Sequence, residues 1–515
     1  MIRHPFRDNW FAACTTEIKK LEERGTYKVV SIPYGKQIVP LMWVFNYKFD
    51  DDGYLIKFKA RLVVRGDLVE PNGRRTRSDT LAARTARALL AIMTYFDMDA
   101  RHFDGVNAFL NSYLDPDEQV YCFHPPGFKQ RGTVWQLIRA LYGLPRSPYL
   151  WFRELSNTLK TFGFRQVMED KCLLTNGRII IFFYVDDIVV LNRREDRAEA
   201  DAVIDRLSRK YELRPMGDLE WFLNIRITRD RDRRITWMTQ DAYIEKMLRD
   251  FHIAPGPRVQ TPLSHDASEY RRYQGLASAE DVHRYQRKIG ALIYPATMTR
   301  PDIAFAASLL ARFMTNPSPF HEREVDRLMC YLRDTKTLSL CFRATGDSVS
   351  SVKVWEGSSD AAYADDLDTR RSSEGYLFKL FGGPIDWKAT RQSTVTTSTT
   401  EAELLAACHA GKEIFAWRRF FAQLGFDPGE DLDLICDNKR VTDLVANEAP
   451  MISTRLRHVD IHQHWLRERV QEGSLRILWV KTADMPADGL TKPLASLQRH
   501  HRFIQLLGMS NCALD

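Results

Sequence analysis

Two short apolar runs, 179–185 and 188–191, are separated by the pair Asp186-Asp187. A continuous apolar run of that length reads as a strand buried on both faces, so two runs broken by two acids read as a hairpin with carboxylates at its tip. An Asp pair can serve a turn through its backbone preferences alone. Two like charges at the end of core strands also repel, and divalent cations relieve that repulsion. Any fold open to this chain must bury a β-hairpin and still bring its acidic tip to a solvent-reachable site.

The rest of the chain is long enough for more than one such core. At about 150 residues per domain, 515 residues predict roughly three or four domains. With 44% hydrophobic and 27% charged residues, the composition is globular rather than disordered. A formal charge of +7 favours polyanions without naming one. The strongest apolar run is far shorter than the ~18 residues of a spanning helix, and the first residues lack a secretory apolar core, so the chain reads as intracellular with no membrane partner. Eight cysteines without a C-x-x-C pair argue against a disulfide framework and against zinc fingers or knuckles.

Along the chain, an amphipathic stretch at 14–24 precedes strands expected at 28–32, 41–49 and 54–64, with a turn at 50–53. Helical periodicity at 81–95 leads to a strand at 100–106 that enters a buried site, and 150–162 reads as a helix. The proline-rich run 251–263 is read as a linker, and 285–332 as mainly helical, with Pro301 suited to a first turn. A polar boundary at 345–351 precedes strands at 353–356 and 376–381, a helix at 400–424, a strand at 433–436 and further α/β alternation to 490. No repeat of 20 to 50 residues is visible.

Asp104 ends the apolar stretch His102-Phe103-Asp104-Gly105, a place where a strand-end acid is common. If its strand neighbours the acidic hairpin, Asp104 and Asp186 supply carboxylates for two hard cations about 3.5–4 Å apart, as phosphoryl transfer requires. Tyr184-Val185-Asp186-Asp187 resembles the active-site hairpin of reverse transcriptases. The whole chain resembles the copia-type retrotransposon polymerase. The resemblance runs through Trp10-Phe11-x-Ala13, Lys59-Ala60-Arg61-Leu62-Val63-x-Arg65-Gly66, Asn107-Ala108-Phe109-Leu110, Pro125-Pro126-Gly127-Phe128 and Ala140-Leu141-Tyr142-Gly143-Leu144.

The resemblance implies that Asp104, Asp186 and Asp187 are the catalytic, metal-binding acids of a palm. It implies that Phe109 disfavours a 2′-hydroxyl, that Gly143 lies close to nucleotide and template, and that Lys59 and Arg61 meet the triphosphate. Core packing is the alternative for Phe109, and a solvated basic face for Lys59 and Arg61. Gly105, Val106 and Pro145 depart from the family's usual residues.

A second set of acids, Asp360, Glu403, Asp437 and Asp488, follows the order strand, helix, strand, late acid. That order resembles the RNase H domain that follows copia-type polymerases, and implies metal ligands for hybrid cleavage. The family's usual second aspartate is Ala362 here. Glu401 and Glu403 both lie early in the helix, about 200° apart, so only one can face the metals; Glu403 is preferred, and Glu401 is read as a first-turn acid. The run His458-x-Asp460-x-His462-x-His464 is read as a basic helix rather than a zinc site.

The expectation is therefore a multidomain α+β and α/β protein: fingers and palm at 1–250, a helical thumb or connection at 251–350, an RNase H-like domain at 351–495, and a C-terminal tail at 496–515. The resemblance implies an RNA-directed DNA polymerase and hybrid ribonuclease using two Mg²⁺ per active site, with Mn²⁺ as a substitute. Its partners are RNA template, DNA primer, RNA-DNA hybrid and dNTPs, with oligomers formed with itself or other Pol products. Work in cytoplasmic virus-like particles and in the nucleus follows from the resemblance. No Gag knuckle, protease or integrase motif precedes the polymerase, so the chain resembles the C-terminal part of a polyprotein. The alternatives are a non-catalytic nucleic-acid-binding remnant and an unrelated metal-dependent nuclease.

Overall fold

The computed structural model describes residues 4–50, 52–71, 73–344, 353–429, 432–446 and 457–512, with backbone alone at 457–460. It is a mixed α/β structure with twelve α-helices and several sheets among the described residues. The chain forms two compact units, one from 1–81 and 101–217, the other from 82–100 and 218–515.

In the first unit the expected strand at 41–49 is Leu41–Phe49, paired antiparallel with Leu55–Val64. The helix Arg7–Glu23 lays Trp10, Cys14 and Leu21 inward. The site-bearing sheet has the order Leu213–Asp218, Asp99–Gly105, Asp187–Asn192, Ile179–Tyr184, Leu173–Thr175, Arg165–Gln166. Its two central hairpin strands are almost wholly buried, which explains their unbroken Ile, Val and Phe content. Ser147–Thr161 is the helix expected at 150–162; it starts earlier because Pro148 suits a first turn.

In the second unit, Ile225–Asp230, Ile235–Thr239, Leu338–Arg343 and Ser510–Asn511 lie side by side in one sheet. The helices Ala279–Met298, Ala304–Ala311 and Pro319–Asp334 share an apolar core including Tyr285, Leu292, Leu310, Val325 and Leu332. A five-stranded mixed sheet has the order Gly383–Arg391, Ser373–Leu380, Trp355–Ala362, Leu434–Cys436, Ile477–Trp479. The first three run antiparallel, and the last two pair parallel. The helix Thr399–Leu424 packs on it through Ala402 and Ala406 against Ala361.

The chain passes between the compact units at 81/82, 100/101 and 217/218, and Ile235–Thr239 is laddered to Leu338–Arg343 across the 251–263 stretch. Residues assigned to a tail form the helix Leu497–Leu507 and a strand paired with Leu338–Arg343. Gly383–Arg391, a strand the periodicity did not single out, pairs along its length with Ser373–Leu380.

Candidate active sites

The hairpin Ile179–Tyr184 and Asp187–Asn192 closes through Val185 and Asp186, with Tyr184 opposite Asp187. Val185 has φ 57, a left-handed conformation that a β-branched residue adopts only under constraint. The constraint is visible: the buried Trp151 donates its Nε1–H to the Val185 carbonyl at 2.6 Å. Tyr211 stacks edge-on against that indole at 5.2 Å.

The strand Asp99–Gly105 lies beside Asp187–Asn192, and the Gly105 amide donates to the Asp186 carbonyl at 2.7 Å. A Cβ on Gly105 would meet that same carbonyl at 3.4 Å, an ordinary van der Waals contact, so the approach does not require glycine. Asp104 and Asp186 are thereby neighbours. Burial, followed by the Asp187 and Asp104 charges, raises the Asp186 carboxyl above its ordinary value. Arg214 donates to Asp104 at 2.9 Å, and His102 Nε2 lies 2.8 Å from Asp187 Oδ1.

Arg61 is close enough to favour ionised Asp186, and its guanidinium lies 5.2 Å from the Tyr142 ring centre. Phe109 also packs on Tyr142, edge-on at 4.9 Å. Lys59 sits instead among Arg61, Lys48 and Glu17; burial, then the two cations, lowers its pKa. Gly143, at φ 82, packs against the Val64 carbonyl, where any Cβ would collide. Its close backbone approach is thus made to the strand Leu55–Val64, with the Val64 amide donating to Tyr142 O at 2.8 Å.

The second set gathers in the five-stranded sheet of the other unit. Asp360 lies inside Trp355–Ala362 rather than at its end, because pairing with Ser373–Leu380 continues to Ala362. It is fully buried. One carboxylate oxygen accepts from the Thr491 hydroxyl and faces the Lys492 ammonium at 3.3 Å, while Oδ1 has no hydrogen-bond partner among the described residues. Lys492 also donates to Asp488. The Asp360 and Asp488 carboxylates hold the ammonium above its ordinary value, although burial opposes them.

Glu403 and Asp437 close the group. Burial, then Asp360 and Asp437, pushes the Glu403 carboxyl up to about 9. Its Oε2 is also without a hydrogen-bond partner among the described residues. Ligand atoms of Glu403, Cys436 and Asp437 lie within 4.8 Å of one another. Burial raises the Cys436 thiol, so at neutral pH it stays protonated and the hard oxygens remain as donors. Asp437 accepts from the Thr482 hydroxyl at 2.8 Å. Orphaned buried oxygens among mutually repelling acids fit a divalent cation.

Glu401 points elsewhere: one oxygen accepts from both the Thr397 amide and hydroxyl at 2.7 Å, and Ser398 caps the helix by accepting from the Glu401 amide. In the proposed basic helix Arg457–Gln471, His462 Nδ1 lies 3.2 Å from Cys408 Sγ. The side chains of His458 and Asp460 lie outside the described residues, as does Arg455. No helix among the described residues is long and apolar enough to cross a membrane.

Sequence reasoning missed Trp151, His102, Arg214 and Lys492. The Lys492 signal was present as an i,i+4 acid–base pair with Asp488, whereas Arg214 is 110 residues from Asp104 and carried none.

Residues 24–265 match the family described as reverse transcriptase (RNA-dependent DNA polymerase). The chain is 33% identical over 507 residues to a retrovirus-related Pol polyprotein from transposon TNT 1-94 of Nicotiana tabacum, covering 96% of this chain and 37% of that protein. It is 32% identical over 498 residues to the Pol polyprotein from transposon RE1 of Arabidopsis thaliana, covering 95% and 33%. A putative transposon Ty5-1 protein of Saccharomyces cerevisiae is 31% identical over 319 residues, 60% of this chain and 98% of that protein. The chain spans about a third of the two plant polyproteins. With the acidic hairpin beside Asp104, the two plant relatives aligned along nearly its whole length and the yeast relative covered almost completely, the chain belongs to the copia-type reverse transcriptase family of retrotransposon Pol proteins.

Proposed function

We propose that the chain extends a DNA primer on an RNA template and cleaves the RNA of the resulting hybrid. The observation that carries the first half is the Gly105-to-Asp186 hydrogen bond, which sets Asp104 beside the hairpin acids in a chain of this family. The second half rests on buried Asp360 and Glu403 grouped with the half-buried Asp437 and Asp488. On this reading the first unit acts as fingers and palm, and the mixed sheet of the second as an RNase H-like domain beside a helical thumb or connection.

Asp104 and Asp186 would hold the cations of the polymerase site, with Asp187 fixed by His102. Arg214, which donates to Asp104, would compete with a cation for that carboxylate. Arg61, with Lys59 farther along the same strand, meets the triphosphate of the incoming dNTP by charge-assisted bonds. Phe109, backed by Tyr142, blocks a 2′-hydroxyl, and Gly143 keeps the neighbouring loop against the basic strand. Mg²⁺, when bound, neutralises phosphate charge and lowers the pKa of the attacking hydroxyl or water.

In the nuclease, Asp360, Glu403, Asp437 and Asp488 would hold cations, which would supply charge neutralisation and an activated water at the scissile phosphate. Thr491 and Thr482 fix the Asp360 and Asp437 carboxylates. Virus-like particles in the cytoplasm, and the nucleus, are the compartments this reading implies.

Primer extension on poly-rA with oligo-dT tests it, paired with hybrid cleavage by the same preparation. Asp186→Asn is expected to abolish extension and leave cleavage largely intact, because the two acid sets belong to different units. Unchanged extension in that variant would overturn the site, and an inert wild-type chain in both assays would favour the non-catalytic remnant.

A further inference from the structure

Beside the second acid set, the loop 482–494 and the helix Leu497–Leu507 enclose a cleft of about 580 Å³. Asp488 and Lys492 line one wall, and Gln498, Arg499 and Arg502 line the other. The helical residues lie at positions 498, 499 and 502, one face of a helix, with Phe503 and Leu506 at its base.

The helix is firmly placed. A Cβ on Gly489 would lie 2.6 Å from Phe503 ring atoms, so the loop and helix are in direct contact. His500 is buried and its Nε2 lies 2.8 Å from the Tyr331 hydroxyl, which in turn donates to Asp302 at 2.7 Å. Lys379 donates to the Leu506 carbonyl at 3.1 Å, a cation at the helix C-terminus. Gly508, at φ 74, ends the helix in the left-handed conformation.

Against this fixed frame the two arginines stay open to solvent. Arg499 and Arg502 are both exposed, and the ion pair of Arg502 with Asp484, at 2.8 Å, occupies one nitrogen of a five-donor guanidinium. Lys492 is committed to Asp360 and Asp488 of the acid set and Arg502 has Asp484 beside it, so Arg499 and the remaining donors of Arg502 are the cationic groups turned to the cleft. An exposed arginine on one wall, a second a helical turn away and a lysine opposite suit a chain of phosphates rather than a single small anion.

Resting on the hybrid-ribonuclease reading above, we infer that this cleft is a phosphodiester-binding site that carries the RNA-DNA hybrid backbone away from the acids, with Arg499 and Arg502 as its principal contacts. The helix at 497–507, outside the four-acid group, is then part of the substrate track. It positions the hybrid and takes no part in bond cleavage.

The test uses the full chain carrying Arg499→Glu and Arg502→Glu together, with Arg499→Lys and Arg502→Lys as a charge-preserving control. Hybrid affinity is measured by fluorescence anisotropy across a salt series, and hybrid cleavage by its kcat and KM. Loss of two phosphate contacts is expected to flatten the salt slope by about 1.4–1.8 and raise KM at least tenfold while kcat stays within about threefold. The lysine pair is expected to restore the slope, which a merely structural helix would not require. An unchanged slope and KM in the glutamate pair overturns the inference. Failure of the underlying reading is distinct: the wild-type chain would then show no hybrid cleavage, or cleavage unaffected by Asp360→Asn.

Discussion

Lys492 holds its ammonium 3.3 Å from the Asp360 carboxylate while bonded to Asp488 four residues before it. One cation thus bridges two acids proposed to hold metal, one fully buried in a strand and one in the loop above it. The lysine side chain is 38% exposed, which leaves it room to withdraw.

This relationship predicts that Lys492→Met binds divalent cations more tightly at the second acid set. A resident ammonium competes with a metal for the same oxygens, so removing it is expected to strengthen Mn²⁺ binding by about three- to tenfold, up to ~1.4 kcal/mol. Titration followed by electron paramagnetic resonance measures this, with Asp360→Asn subtracting binding elsewhere. Weaker binding in the methionine variant would mean that Lys492 organises the acids rather than competing for them.

Glu403→Gln is expected to lower hybrid cleavage by about 10²-fold or more, since it removes a buried anionic ligand. Glu401→Gln should retain most cleavage, because its carboxylate serves Thr397; losing that charge-assisted acceptor costs about 1–2 kcal/mol of stability. Cleavage rates and melting temperatures of the two variants check both halves. The reverse ranking would move the ligand to Glu401.

Trp151→Phe keeps the ring but leaves the Val185 carbonyl without its donor, at a cost of about 1–3 kcal/mol. The hairpin tip should relax from its strained φ, displacing Asp186. DNA synthesis is expected to lose about tenfold in kcat, with a smaller change in dNTP KM and no change in hybrid cleavage. A lower melting temperature with full synthesis would confine Trp151 to packing.

Stability of the metal-free chain should fall as pH rises. Glu403 titrates near 9 in the fold against 4.5 for an unperturbed carboxyl. Between those values the folded state holds a proton that the unfolded state has released, so unfolding gains with increasing pH. This component is absent below about pH 4.5 and complete above about 9. Melting curves in chelator at pH 6 and 8.5 should show a larger decline for wild type than for Glu403→Gln, and excess Mg²⁺ should shrink the difference by favouring the ionised form. Equal declines would show that Glu403 does not carry the titration.

The local architecture was readable along the chain wherever short-range chemistry sufficed. The acidic hairpin followed from two apolar runs and the Asp pair, the strand Leu41–Phe49 from its pattern and following turn, and the helix Thr399–Leu424 from its periodicity. Angular spacing around that helix separates Glu401 from Glu403, and the preference for Glu403 came from the resemblance. These features depend on residues a few positions apart, whose backbone preferences act before any distant contact forms.

Tertiary structure alone decided which distant groups face those acids. Arg214 reaches Asp104, Trp151 holds Val185, and Thr491 and Lys492 meet Asp360 across more than a hundred residues. It also laddered Ile235–Thr239 to Leu338–Arg343 across the apparent linker and turned the expected tail into a helix. Proline and polar composition mark where a chain bends, but not which core its flanks join. Burial of apolar faces and completion of backbone ladders select that pairing, and both require the whole chain to be folded.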